Sequence, residues 1–462
     1  MGKMASFDNT KYVCSSAMSL PFDVNIGLVV DGVLEASILR EKYTRLIELS
    51  PLLGGKLLSK LDMRRFQCGS NNDFEARTLK RDLAATLPFS WRAGAAPRII
   101  LDDPSALDKT FLFNAPSSSP STSKLRVTLL NDATLLCFSF PHALVDGQSA
   151  YDVIGYFCAL LSDKPVPRFV LPPDALGTRI SGLVRKVSTE PLPAQPEQDI
   201  FVTRQLTVLK FQAKYLLLRL SEILGFSPML THRTIHLPGS WVDDVRSRAQ
   251  KELESSGEHL GMHLTRNDII TAVYLKLVYG AKKPNDDPVD YIGPINYRAL
   301  LEPSDPDTYY THNSITFFLA QFSEREIQTW SLTKVAARLR MATIRYRHPA
   351  SIRREISRFE EKLVAPAMQD SRGGVKWGVP MVSPWTTFRY TDLDFSGASR
   401  QARRPGVVFV NADVPLTLGR LPSPWAINQK DGDGGYWVRA ANTRQGWEAF
   451  EELIEMESLF CS

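Results

Sequence analysis

Between residues 133 and 161 the hydrophobic pattern changes its period halfway along. Leu135-Leu136-Cys137-Phe138-Ser139-Phe140 is a continuous apolar run of strand length. Pro141 ends it, because a proline has no N–H to place in a ladder. After His142-Ala143-Leu144-Val145-Asp146-Gly147, apolar residues recur at Ala150, Val153, Ile154, Phe157, Cys158 and Leu161. That spacing predicts a helix starting near Gly147 or Gln148. Upstream, residues 125–130 read as a strand and Asn131-Asp132 as a turn, so the run at 133–140 is the second arm of a hairpin. The hairpin delivers His142 to a strand-to-helix junction, where a rigid base carries an exposed loop.

The same alternation of strand and helix patterns extends along the chain. Residues 25–30 predict a strand, and 33–49 a helix stopped by Ser50-Pro51, with Gly54-Gly55 opening onto the next strand. Residues 67–124 are poorly patterned, and the Ser/Pro tract at 115–123 reads as a surface loop. Prolines 165, 167, 172, 173, 191, 193 and 196 mark a linker. Residues 206–224 then form the most apolar helix candidate. Lys210, Lys214, Arg219 and Glu222 interrupt it, so it reads as a helix packed across a domain boundary rather than a membrane span. The second half predicts a strand at 233–237, a helix at 241–254, and a helix capped by Thr265 or Asn267 that runs to 277. Strands at 291–298 and 315–320 precede a long helical stretch at 330–364, strands near 379–390, 406–410 and 435–440, and a helix at 444–458. The fold class is therefore α/β, with two halves at residues 1–190 and 231–462 and a crossover segment at 191–230.

Composition narrows the function. At 462 residues the chain exceeds one ordinary core, and 44% hydrophobic with 23% charged residues is the make-up of a globular protein. Its net charge of +5, from 55 basic and 50 acidic residues spread along the chain, suits an anionic small ligand and gives no support for nucleic acid. Five scattered cysteines without a CxxC pair read as reduced thiols, hence a cytoplasmic setting. No 18-residue uncharged apolar span is present, so no membrane span is expected; Met1-Gly2 fits a myristoylation pattern only loosely. Neither half carries a dinucleotide fingerprint or a phosphate loop. Of the other histidines, His232/His236 and His259/His263 have i, i+4 spacing, but neither pair lies in a helix pattern, so no metal is expected.

His142, Asp146 and Gly147 together form His-x-x-x-Asp-Gly. In its strand–turn–helix setting this resembles the motif of the BAHD-type CoA-dependent acyltransferases and the fungal trichothecene acetyltransferases. Further segments extend the resemblance over most of the chain: HLTRNDIITAVYLKL, INYRALLEPSDPDTYYTHN and VSPWTTFRYTDLDFSGA. Two departures stand out. His312 replaces a usual glycine, and Asp394-Phe395-Ser396-Gly397-Ala398 lacks the family's Gly-Trp-Gly ending. Pro141 stands where peptide-synthetase condensation domains usually carry a second histidine, which points to a free-standing enzyme.

The resemblance implies two similar mixed-sheet domains of the chloramphenicol acetyltransferase-like type joined by a long crossover linker. It implies acyl transfer from acyl-CoA, a co-substrate rather than a bound cofactor, to a hydroxyl or less readily an amine of a small secondary metabolite. His142 would be the general base, which its ordinary pKa of about 6.5 allows at neutral pH. Asp146 would pair with Arg298 to fix the loop, and Gly147 would leave room beside the donor. Trp385 and Ser383 would lie near the oxyanion, although a plain core role for Trp385 stands equally open. Asp394 and Phe395 would be structural. Arg400, Arg403 and Arg404 could face the CoA phosphates or simply form a solvated charged loop. A monomer is expected. A CoA-independent proton transfer or cyclisation, or a non-catalytic binding role, are the alternatives the sequence leaves open.

Overall fold

The computed structural model of the chain describes residues 11–13, 23–58, 65–92, 94–113, 120–171, 179–184, 202–203, 216–217, 220, 224, 230–257, 261–280, 285–301, 307–362, 365–366, 380–400, 404–413, 425–454 and 459–460. The elements that build the site from the first half are β1 (Asp23–Val30), α1 (Ala36–Leu49), β2 (Asp73–Thr78), β3 (Arg98–Leu101), α2 (Ser105–Phe111), β4 (Lys124–Leu129), β5 (Thr134–Pro141) and α3 (Gly147–Leu161). In the second half, β6 (Leu230–Leu237), α4 (Gly239–Ser255), α5 (Arg266–Tyr279), β7 (Pro288–Asn296) and β8 (Ile315–Ser323) come first. They are followed by α6 (Leu332–Tyr346), α7 (Pro349–Lys362), β9 (Met381–Trp385), β10 (Val407–Asp413), β11 (Trp425–Lys430) and β12 (Tyr436–Thr443).

The strands assemble into a five-stranded sheet, β10-β1-β5-β4-β2, and a seven-stranded sheet, β8-β7-β9-β11-β12-β6-β3. Both are mixed: β2 runs parallel to β4, and β9 runs parallel to β7 and to β11, within otherwise antiparallel pairings. The α/β fold with two mixed sheets expected from the sequence is thus present. The sheets, however, exchange strands. β3 lies early in the chain but closes the edge of the larger sheet against β6, while β10 lies late and closes the smaller sheet against β1.

β5 is central because both of its faces are covered, which is why its sequence is apolar without alternation. On one face Phe138 meets Phe157 of α3 edge-on at 5.5 Å. Toward the other face lies α2, whose Phe111 ring fills the space a Cβ of Gly27 would need. Also from α2, Asp108 makes a two-point pair with Arg439 of β12 at 2.6 and 2.7 Å. Asn411 and Asp413 of the exchanged strand β10 complete the contact at 3.0 and 3.1 Å. All four side chains are buried. A second core forms between the larger sheet and α4, α5 and α6.

Local signals explain most boundaries. Thr265 caps α5 in a reciprocal box with Asp268. The stretch at 330–364 is two helices, α6 and α7, because Pro349 disfavours helical backbone in the residue before it. The strand expected at 379–390 ends at Trp385, and the chain then turns through Tyr390–Asp392. Residues 67–124, poorly patterned in sequence, contain β2, β3 and α2. β11 was not expected at all, since buried Asn428 and Gln429 interrupt its apolar run. Of the proline-rich linker, residues 165–171 and 179–184 are described, with a short strand at Arg168–Phe169 and a turn at Ile180–Leu183, whereas the 206–224 helix candidate lies almost wholly outside the described residues.

Candidate active site

The site begins where β5 ends. The Pro141 carbonyl accepts from Leu144 N at 2.9 Å and Val145 N at 3.1 Å, folding the chain back on itself immediately after the strand. His142 sits in this turn, half-buried. Asp146 then caps α3: its Oδ1 accepts from Ser149 N at 2.7 Å, satisfying one of the helix's first N–H groups. The other carboxylate oxygen accepts from Ser314 N at 2.7 Å and faces Arg298 Nη2 at 3.5 Å. Asp146 is fully buried, so its charge is held by one helix start, one backbone N–H of the opposite half and one guanidinium.

Arg298 makes shorter contacts elsewhere. Its Nη2 donates to the His312 carbonyl and to Ser149 Oγ, both at 2.5 Å. Ser149 Oγ in turn donates to the His312 carbonyl at 2.9 Å. Beside it, Asn313 Nδ2 donates to the His142 carbonyl at 2.7 Å and lies 3.4 Å from His142 Nδ1. The loop entering β8 therefore grips the His142 turn through three consecutive residues, His312, Asn313 and Ser314. Sequence reading placed this segment in a family motif but gave Asn313 no role, because nothing in a linear pattern says which way an amide points.

Burial lowers the pKa of His142 below its ordinary value; its own carbonyl and the Asp146 charge pull it part of the way back. The imidazole is accordingly neutral at pH 7. Gly147 has no room for a side chain: a Cβ there would stand 2.8 Å from Trp385 Nε1 and 3.0 Å from Phe388 Cε2. Trp385 and Ser383 point to the same side of β9, and the indole N–H donates to Ser383 Oγ at 3.1 Å. Tyr151 of α3 stacks on Phe388 at 5.4 Å, extending the aromatic wall. Thus His142, Asp146, Gly147, Arg298, Ser383 and Trp385 meet at one place, from both halves of the chain.

The remaining candidates lie elsewhere. Phe395 is fully buried, and Asp394 accepts from Ser396 N at 3.0 Å and Ser396 Oγ at 2.5 Å. The adjacent Gly397 packs on the Leu161 carbonyl, which leaves no room for a Cβ. This segment therefore supports the far end of α3, roughly 20 Å along the helix from Gly147. At that same end Arg400 forms a two-point pair with Glu35 at 2.6 and 2.9 Å, and Arg404 lies 3.5 Å from Asp394. Arg403 lies outside the described residues. His236 bonds Asp431 at 2.7 Å and His232 packs 5.3 Å from the Trp425 ring, while His259 also falls outside the described residues. Among the described residues, no helix is long and apolar enough to cross a membrane.

No family model matches the chain. A curated relative does: acetyltransferase peniE of Penicillium patulum is 36% identical, with 98% of this chain and 99% of that protein covered. Among solved structures, TRI101 of F. sporotrichioides in complex with coenzyme A and T-2 superposes with a TM-score of 0.64 at 12% identity, covering 97% of each chain. Vinorine synthase superposes with a TM-score of 0.63 at 11% identity, covering all of this chain and 96% of its own. At those identities the two structures establish the fold, and the full-length curated relative establishes kinship. With the His-x-x-x-Asp-Gly turn mounted between two mixed sheets, the chain belongs to the BAHD-type acyltransferases, in their fungal acetyltransferase branch.

Proposed function

We propose that the protein transfers an acetyl group from acetyl-CoA to a hydroxyl, less readily an amine, of a small apolar secondary metabolite, with His142 as general base. The observation that carries this reading is the placement of His142: an imidazole in the turn after β5, gripped from both halves of the chain, where burial favours its neutral form. Its Nε2 takes the acceptor hydroxyl proton as the oxygen attacks the thioester carbonyl. The tetrahedral oxyanion collapses, the C–S bond breaks, and the departing thiolate takes the proton back from the imidazolium. The products are an ester and free CoA. Because the Trp385 N–H is committed to Ser383 Oγ, the Ser383 hydroxyl proton is the one left to face the oxyanion, and we assign that donor role to Ser383.

Several features support direct transfer without an acyl-enzyme. Burial pushes the Cys137 thiol up to about 12 and the Cys158 thiol higher still, which removes both as nucleophiles at neutral pH. The carboxylate of Asp146 is engaged by the Ser149 and Ser314 N–H groups, so it holds the loop rather than reaching a substrate. The full-length relative, an acetyltransferase, supports acetyl as the acyl group, and the coenzyme A complex of TRI101 supports CoA as its carrier.

The test is release of free thiol from acetyl-, malonyl- and longer acyl-CoAs in the presence of mixed alcohol acceptors. Acceptor-dependent release should fall by about 10²–10⁴-fold in His142→Ala. Silence from every donor, with no CoA binding by calorimetry, would replace this reading with the CoA-independent alternatives.

A further inference from the structure

Across the five-stranded sheet one row of side chains is polar from edge to edge. Asp413 of β10 stands opposite Asn25 of β1, and Asn25 opposite Ser139 of β5. Ser139 in turn stands opposite Lys124 of β4, and Lys124 beside Asp73 of β2. Residues in register share a face. Theirs is the face turned to the larger sheet, because Asp413 meets Arg439 of β12 at 3.1 Å. Ser139 precedes the end of β5 at Pro141, so at about 3.4 Å per residue the row lies roughly 7–10 Å from His142. One row further from the turn, α2 covers the sheet, with Phe111 over Gly27 and Asp108 bonded to Asn411.

The ends of the row are ion-paired and its middle is not. Lys124 holds Asp23 at 2.8 Å, Asp73 holds Arg126 at 2.7 Å, and Asp413 holds Arg439. Between them, Asn25 and Ser139 are each only 4% exposed. Among the described residues, the Ser139 hydroxyl has only the Cys137 thiol, at 3.9 Å, and the Asn25 amide makes no side-chain hydrogen bond. The larger sheet packs Phe317, Leu319 and Ile427 into the apolar cluster that continues from the first half. A buried amide left unsatisfied in such surroundings weakens the fold, and a leucine of similar size would not.

We propose that Asn25 and Ser139 form a second anchor for the acceptor, which carries another neutral oxygen, a hydroxyl or carbonyl, across its skeleton from the hydroxyl that is acylated. This rests on the transfer reading of His142 and adds to it the class of alcohol. An amide and a hydroxyl can each donate and accept, which suits an uncharged oxygen. A carboxylate would call for an uncommitted cation, and Lys124 in the same row is already paired with Asp23. The acetyl group ends well short of the row, which leaves the acceptor as its occupant.

The test compares a decalin mono-alcohol with the decalin diol that carries one hydroxyl on each ring, using the full chain. By calorimetry, wild type should bind the diol about 10-fold more tightly than the mono-alcohol, and Asn25→Leu should bind the two alike. Ser139→Ala should lower the preference about threefold. With acetyl-CoA as donor, kcat/KM for the diol should fall about 10-fold in Asn25→Leu, while the KM for acetyl-CoA stays within about twofold. The urea midpoint of Asn25→Leu should equal or exceed that of wild type. A lowered midpoint, failure to fold included, would make Asn25 a structural residue. A raised KM for acetyl-CoA would give the row to the CoA arm, and a diol bound no better than the mono-alcohol would remove the anchor. Each of these overturns the proposal. Binding needs no turnover, so a wild type that prefers the diol yet transfers to it from no donor would count against the proposed function alone.

Discussion

His142 is the residue whose chemistry the surroundings alter most usefully. Desolvation favours its neutral form, so the folded pKa lies below the ordinary 6.5. A base that stays neutral to lower pH stays active to lower pH. The acid limb of kcat/KM should therefore fall below pH 6.5, and Asp146→Asn, which removes a charge that raises the pKa, should push it lower still. A limb at or above 6.5 in the wild type would contradict the burial argument. Much at this scale was legible beforehand. A motif of fixed spacing announces His142, Asp146 and Gly147, and the Asn-x-Arg stretch announces Arg298. What escaped was direction: that the Trp385 N–H ends on Ser383, and that Asn313 aims at a carbonyl. Those depend on side-chain angles set by residues distant in sequence.

Among the elements, α3 has its two ends fixed by different means. Its N-terminus is capped by Asp146, and its C-terminus is pressed by Gly397 from the second half. Sequence reading noticed that Asp394–Ala398 departs from its family pattern, and the packing explains what had to be kept: a glycine against the Leu161 carbonyl and a buried phenylalanine. Gly397→Ala would drive a methyl into that carbonyl. It should cost about 1–3 kcal/mol, read as a lowered urea midpoint, and an unmoved midpoint would show that the contact yields freely. Elements were readable where one physical rule dominated, as with the apolar β5 or the Thr265 cap of α5. They were unreadable where rules conflicted. β11 buries Asn428 and Gln429 and so lacks a strand's pattern, whereas β2 does alternate, Phe74 and Ala76 between Asp73, Glu75 and Arg77, but over only six residues with a single large apolar side chain at a sheet edge.

At the scale of the molecule, the two sheets are joined by the exchanged strands and by the buried contact of Arg439 with Asp108, Asn411 and Asp413. Buried charge of this kind contributes less than its short distances suggest, because both partners were taken from water. Breaking it is another matter. Asp108→Ala leaves the guanidinium with half of its carboxylate partners and should cost about 3–5 kcal/mol, measurable as loss of the folded fraction in urea. A variant as stable as the wild type would mean that the exchanged strand is held by its ladder alone. None of this could be anticipated from sequence, since Asp108 and Arg439 lie at opposite ends of the chain within unremarkable local patterns.

The strand exchange also bears on how the protein is made. As the chain leaves the ribosome, β1, β4 and β5 emerge early, but the outer edge of β1 has no partner until residues 407–413 follow. At about 5–20 residues per second, an apolar strand edge stays bare for on the order of tens of seconds. The nascent first half is therefore a sticky, unfinished sheet, and the active-site turn at its centre is not fixed until residues 312–314 and Trp385 have followed.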